Sequence, residues 1–241
     1  MTWGFFSPAH IVSMILAVAQ VVALYLILKN KSQKVQLAVL VPLSFSGIAA
    51  IIYNLVSWGE PLAYLPLHLC SLNAMVLPFA VIRRNKTVCN LLLVWSLGAF
   101  IAILLNQDVM DVVIPSWTFF FYYFPHVMEL GIPLLLFKLG LVEKDPKCIG
   151  STLAITAGAY TVIHFINVAV NSWCASVGKD LTVNYMFSLD PTNPVLVLFY
   201  NLIPYQYWYM YMVFPIVGVY LLIVYAPQIL KALKKRKVKT V

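Results

Sequence analysis

The sequence predicts an all-α, polytopic membrane protein: a seven-transmembrane helical bundle with its N-terminus outside and its C-terminus inside. Three observations carry that prediction. The chain of 241 residues is 62% hydrophobic and 10% charged, too apolar a balance for a soluble domain. Its apolar stretches run to about 20 residues, the length that crosses a hydrocarbon core roughly 30 Å thick. Finally, every Lys and Arg except Lys179 lies in alternate connections, on one side of the pattern, and positive charge marks the inner side.

The first expected span covers residues 8–28. Ala17-Val18-Ala19 within it resembles a signal-peptidase site, but no positive charge precedes it and the apolar run continues to Leu28, so a retained span is expected. Lys29, Lys31 and Lys34 separate it from the second, 35–57. The third, 64–82, ends at Arg83, Arg84 and Lys86, and the fourth covers 87–105. The fifth, 117–137, opens on Trp117 and stops at Lys138; Lys144 and Lys147 precede the sixth, 149–173. The seventh, 206–227, leads into a tail carrying Lys231, Lys234, Lys235, Arg236, Lys237 and Lys239. Pro66, Pro78, Pro133 and Pro215 read as kinks that shape the spans and free main-chain carbonyls.

Short connections make this a single domain over residues 1–241, without internal repeats. One outer connection, at about 174–205, is longer. Its apolar middle, from Pro194 to Pro204, is too short to span, so it lies in the interface or folds back as a lid over an outward-facing cavity. Tyr200, Tyr205, Tyr207, Trp208, Tyr209 and Tyr211 mark an aromatic belt at that level.

The net charge of +8 needs no nucleic-acid partner, because a basic tail inside a membrane is explained by orientation and anionic headgroups. The expected partners are membrane phospholipids. Cys70 and Cys174 fall towards the outer face, Cys89 and Cys148 near the inner one. Only the first two are placed to pair without crossing the bilayer, and scattered cysteines make no disulfide framework.

Chemistry is to be sought among the polar groups at membrane depth, where each is costly. All four histidines lie in the expected spans. At about 1.5 Å per residue, His10 is at the rim, His68 roughly 6 Å down, Cys70 roughly 9 Å down, and His126 and His164 each about 13 Å down. Glu129 stands three residues beyond His126 and shares its helix face. Asn54, Asn73, Asn167 and Asn171 add amides, mostly in the outer half. This asymmetry points to a polar pocket opening outward. The plain alternative is that these groups bond neighbouring helices: it is the favoured reading for His10, and Asn54, Asn73 and Asn167 also fit it.

A thiol in lipid needs a base or a cation to become a thiolate. On one ideal helix His68 points about 200° from Cys70, so His126 or His164, from facing helices, is the better base. Glu129 is then placed to orient His126, the logic of a Cys–His–acid triad. Asn73 or Asn167 would donate to an oxyanion. The same inventory offers a metal site, but no ligand spacing such as H-x-x-x-H supports one, and neither metal nor cofactor is expected.

Pro66-Leu67-His68-Leu69-Cys70, Phe124-Pro125-His126 and Asn184-Tyr185-Met186-Phe187 resemble the marks of the YwaF-like family of bacterial integral membrane proteins. Phe6-Ser7 followed by His10, and the aromatic stretch from Pro204 to Tyr209, fit as well, so the resemblance spans nearly the whole chain. That family resembles, distantly, the transmembrane protein 164 family, whose pattern is that of a lipid acyltransferase with a membrane-embedded cysteine. The resemblance implies that Cys70 is the nucleophile, with His68 beside it. It adds Asn184 and Tyr185 to the substrate-binding candidates His68, Asn73 and Asn167. It also implies a multi-pass protein of the bacterial cytoplasmic membrane that moves acyl chains between phospholipid and lysophospholipid.

Two other classes compete. A transporter or substrate-binding membrane subunit would carry protons or a cation on the His126–Glu129 pair. A sensor is disfavoured by inner loops too short to form a signalling domain.

Overall fold

The computed structural model describes residues 2–105, 109–192 and 194–239. Among them the chain is helical, with one isolated bridge between Thr2 and Val113. The helices are α1 (Pro8–Leu28), α2 (Gln33–Ser44), α3 (Ser46–Ser57), α4 (Leu69–Arg83), α5 (Lys86–Leu105), α6 (Trp117–Lys138), α7 (Ile149–Ser176), α8 (Pro194–Leu202) and α9 (Val213–Lys239).

Among the described residues, six helical stretches are long and apolar enough to cross a membrane: Pro8–Leu28, Gln33–Ser57, Lys86–Leu105, Trp117–Lys138, Pro146–Ser176 and Trp208–Lys231. The expected second span is α2 and α3 joined at Phe45, just after Pro42 removes an N–H from the ladder. The expected third span, 64–82, contains instead the shorter apolar helix α4. At 15 residues α4 is about 22 Å long.

The chain forms two compact units, Met1–Glu143 and Lys144–Val241. In the first, α6 is the hub, packing against each of α1 to α5. α5 is deeply enclosed, with every residue from Cys89 to Ser96 buried. Ser7 caps α1 by accepting from the His10 amide at 3.1 Å, and Pro8 supplies the first helical residue, which needs no N–H. Trp3 is fully buried and donates from Nε1 to Ser13 Oγ at 2.8 Å; Phe119, Tyr122 and Tyr123 surround it edge-on. This fastens the segment before α1 to the start of α6.

In the second unit, the stretch between α7 and α8 is held against α7, and α8 packs on the 3₁₀ turn Trp208–Met212. Leu196 and Phe199 of α8 close over Tyr209. The opposite side of α8 leaves Val195, Val197, Leu198 and Leu202 exposed. All four cysteines are thiols.

Candidate functional site

α4 begins where its sequence first permits a helix. Pro66 has no N–H and forces Leu65 out of helical geometry; around it the Leu67 amide closes a tight turn onto the Leu65 carbonyl at 2.7 Å. His68 follows in extended backbone, φ −80° and ψ 157°, as the residue capping α4, and its carbonyl accepts from the Leu72 amide at 2.9 Å. Cys70 is therefore the second residue of α4. The positive end of a helix dipole favours a thiolate at that place. The angle of about 200° expected between His68 and Cys70 on one ideal helix does not apply, because His68 lies outside the helix.

Facing α4 is α6, which contains Pro125 and Pro133. Pro133 has no N–H to give the carbonyl of Glu129, four residues earlier. The Asn73 side chain donates to that carbonyl instead, Nδ2 to O, at 3.1 Å. Asn73 is 0% exposed and Glu129 3%. The Glu129 carboxyl lies against α3 at Gly47, where a Cβ would stand 2.7 Å from Oε1 and 2.5 Å from the Ala74 Cβ. Only glycine admits that approach. Glu129 Oε2 and Asn73 Oδ1 are both buried without a hydrogen-bond partner. The carboxyl interacts electrostatically with His126 and with Cys70.

His126 is held by main chain. Its Nδ1 lies 2.6 Å from the Tyr122 carbonyl. A carbonyl only accepts, so Nδ1 carries the proton and Nε2 of the neutral ring keeps its lone pair. The ring also packs on Tyr122, centroid to centroid at 4.5 Å. Glu129 was the expected orienting partner; the Tyr122 carbonyl occupies that position.

The structure thus joins Asn73 to Glu129 where α3, α4 and α6 meet, with Cys70 and His126 both within electrostatic range of the Glu129 carboxyl. His10 is elsewhere and fully engaged. Its Nδ1 accepts from the Phe6 amide at 3.0 Å, so Nε2 donates to the Ile103 carbonyl at 2.8 Å. It is a structural bond between helices, as the sequence favoured.

The remaining candidates lie in the second unit, on and against α7. His164, Asn167 and Asn171 recur at one-turn and two-turn spacing and fall on one face. His164 Nδ1 meets Ser188 Oγ at 3.1 Å. Asn167, 0% exposed, donates to the Tyr185 carbonyl and to Ser188 Oγ, each at 2.8 Å, and accepts from the Tyr185 amide at 2.9 Å. Asn171 clasps Val183 in the same reciprocal way, at 2.9 and 2.8 Å. Asn184 folds back on its own loop, donating to the Asp190 carbonyl at 2.8 Å and accepting from the Leu189 amide at 3.0 Å. Tyr185 is buried, which raises the pKa of its phenol above the ordinary value. Tyr209 adds a bond from its hydroxyl to the Phe187 carbonyl. These side chains lock residues 183–188 onto α7, and Met186 and Phe187 hold left-handed backbone within the lock.

Sequence reasoning did not single out Gly47, Tyr122 or Ser188. A lone glycine inside an apolar helix signals close helix approach, and Gly47 was legible on that ground. Tyr122 acts through its carbonyl and Ser188 through a tertiary contact, and neither leaves a mark in sequence. Among the described residues no three His, Cys, Asp or Glu side chains cluster as metal ligands.

The model of the TMEM164 family matches residues 5–225 of this chain. No curated protein and no solved structure matches it.

Proposed function

The chain belongs to the TMEM164 family, a multi-pass membrane protein family, and on that premise we propose that it is a membrane-embedded lipid acyltransferase working through Cys70. The observation that supports this reading most is that Cys70 opens α4, which packs on the helix carrying His126 and Glu129, with Cys70 and His126 both within electrostatic range of the Glu129 carboxyl.

In the proposed reaction His126 Nε2 takes the Cys70 proton and Sγ attacks the ester carbonyl of a phospholipid. The tetrahedral intermediate collapses to a thioester, and His126 returns its proton to the departing lysophospholipid oxygen. A second lysophospholipid hydroxyl gives its proton to His126 and attacks the thioester, which regenerates the thiol. The Tyr122 carbonyl fixes the tautomer that this cycle needs. The α4 dipole favours both the thiolate and an oxyanion formed beside it. Asn73 serves by fixing α4 to α6, since its amide is already bonded to Glu129. Glu129 lies within electrostatic range of the His126 ring and makes no hydrogen bond to it among the described residues.

His164 and Asn167 are assigned to the lock on residues 183–188, because that is where their polar atoms are bonded. His68 remains a candidate for contacting lipid headgroups, whereas Asn184 is bonded within its loop and Tyr185 is buried. In this proposal α4 completes a seventh crossing, with the N-terminus outside and the basic tail inside. The YwaF-like resemblance adds a bacterial cytoplasmic membrane and a site serving its outer leaflet.

The test is acyl exchange between a labelled phospholipid and a lysophospholipid in liposomes carrying the purified protein. Transfer that vanishes in Cys70→Ala, with insertion intact, supports the enzyme; transfer retained in that variant removes it. A carrier is the second reading, favoured by a deeply buried Glu129 carboxyl with no hydrogen bond to Oε2. It requires uptake that fails in Glu129→Gln and survives Cys70→Ala.

A further inference from the structure

The three helices that meet at Glu129 also carry buried oxygen atoms left without a hydrogen-bond partner among the described residues. Among the described residues Glu129 Oε2, Asn73 Oδ1 and Ser46 Oγ each lack a hydrogen-bond partner, and all three are shielded from solvent. They come from three different helices. Ser46 opens α3 immediately before Gly47, the residue against which the Glu129 carboxyl rests. Asn73 precedes Ala74, whose Cβ faces the same Gly47, and is itself tied to the Glu129 main chain. Pro78 leaves the Ala74 carbonyl without its usual donor four residues on.

An unpartnered polar atom in such a place costs on the order of 1–3 kcal/mol, and an uncompensated carboxylate several times more. One occupant that satisfies all three oxygens relieves the whole set. A hydron on the carboxyl serves at most two of the oxygens, Oε2 and an acceptor such as Asn73 Oδ1, and leaves the Ser46 hydroxyl as it was. A divalent ion would carry one charge more than the single carboxylate offsets, and among the described residues the titratable groups that act on Glu129 are His126 and Cys70, neither of them a carboxylate. A lipid ammonium is too large for residues that are 0% and 3% exposed. Oxygen-only ligation suits a hard cation.

We propose that the junction of α3, α4 and α6 binds one alkali-metal cation, held by the Glu129 carboxylate, Asn73 Oδ1 and Ser46 Oγ. The ion ties three helices together and offsets the Glu129 carboxylate. Its binding does not depend on the thiol.

The test uses the full chain purified in detergent. Sodium-22 binding is measured at constant ionic strength, balanced with N-methyl-D-glucamine chloride, for the unaltered protein, Glu129→Gln and Cys70→Ala. The expected result is saturable binding, weakened about tenfold or more by Glu129→Gln and retained in Cys70→Ala. Retention in Cys70→Ala separates this site from the nucleophile, so a failure of acyl transfer leaves it standing. Absence of saturable binding, or binding unchanged in Glu129→Gln, overturns the proposal. Should Glu129→Gln not fold, thermal unfolding of the unaltered protein and of Ser46→Ala decides. A sodium-dependent rise in Tm that shrinks in Ser46→Ala supports the site. A Tm that follows pH and ignores sodium assigns the charge to a hydron and overturns it.

Discussion

The Asn73 side chain of α4 donates to the main-chain carbonyl of Glu129 in α6 at 3.1 Å, at the one level where Pro133 has no N–H to offer that carbonyl. A proline in one helix and an asparagine in another are thus complementary parts of a single bond. The pair fixes the register of α4 on α6, and with it the placement of Cys70 relative to His126.

That complementarity makes a double-mutant cycle informative. Asn73→Ala orphans the buried Glu129 carbonyl and is expected to lower stability by about 1–3 kcal/mol. Pro133→Ala restores a main-chain donor, so Asn73→Ala should cost less in that background. Unfolding midpoints of the four proteins measure the coupling, and additive effects would show that the bond does not form.

Cysteine labelling should be strongly selective. Cys70 is partly accessible, whereas Cys89, Cys148 and Cys174 are buried. With a membrane-permeable maleimide under native conditions, Cys70 is expected to react first, and Cys70→Ala should abolish the fast phase. Mass spectrometry of the labelled peptides assigns the sites; fast labelling of Cys89 instead would contradict the packing of α5.

At Gly47 any side chain meets Ala74 and the Glu129 carboxyl. Gly47→Ala should destabilise by about 1–3 kcal/mol through overpacking, and Ala74→Gly should recover part of the loss by removing the facing Cβ. A fully stable Gly47→Ala protein would mean that α3 and α4 stand further apart.

In the second unit, Asn167→Ala removes three hydrogen bonds to residues 185 and 188 at once. The segment between α7 and α8 should become a site of rapid proteolysis in the purified protein, at a cost of about 2–3 kcal/mol. Asn184→Ala, which breaks bonds within the loop only, should have the smaller effect. Limited proteolysis followed by mapping of the cut decides between them.

His126→Ala should abolish acyl transfer while leaving unfolding nearly unchanged, because the side-chain bond it makes among the described residues is to a carbonyl of its own helix. His10→Ala should do the reverse: it breaks bonds to Phe6 and Ile103 that fasten separate parts of the chain. Transfer rates and unfolding midpoints measured on the same preparations separate the two histidines.

Hydropathy alone placed α1 at residues 8–28 and the start of α6 at Trp117, and the structure has both. Burial in a lipid-sized stretch is a sum over neighbours in sequence, so it needs no knowledge of the fold. The structural reading of His10, and that of Asn73 and Asn167 as bonds between segments, followed from the same cost of burying a polar group. Local chemistry marked Pro66 as a kink within the third span; in the structure it lies before α4, whose start is set by the turns of residues 60–68 and by what α4 packs against. Tertiary structure decided the rest: that Asn73 meets the Glu129 carbonyl, that Tyr122 rather than Glu129 orients His126, and that His164 faces Ser188. Those partners depend on how each helix is rotated about its axis and which helix lies beside it. Rotation and neighbour are fixed by packing of residues such as Gly47 and Ala74, far apart in sequence, and no one-dimensional sum contains them.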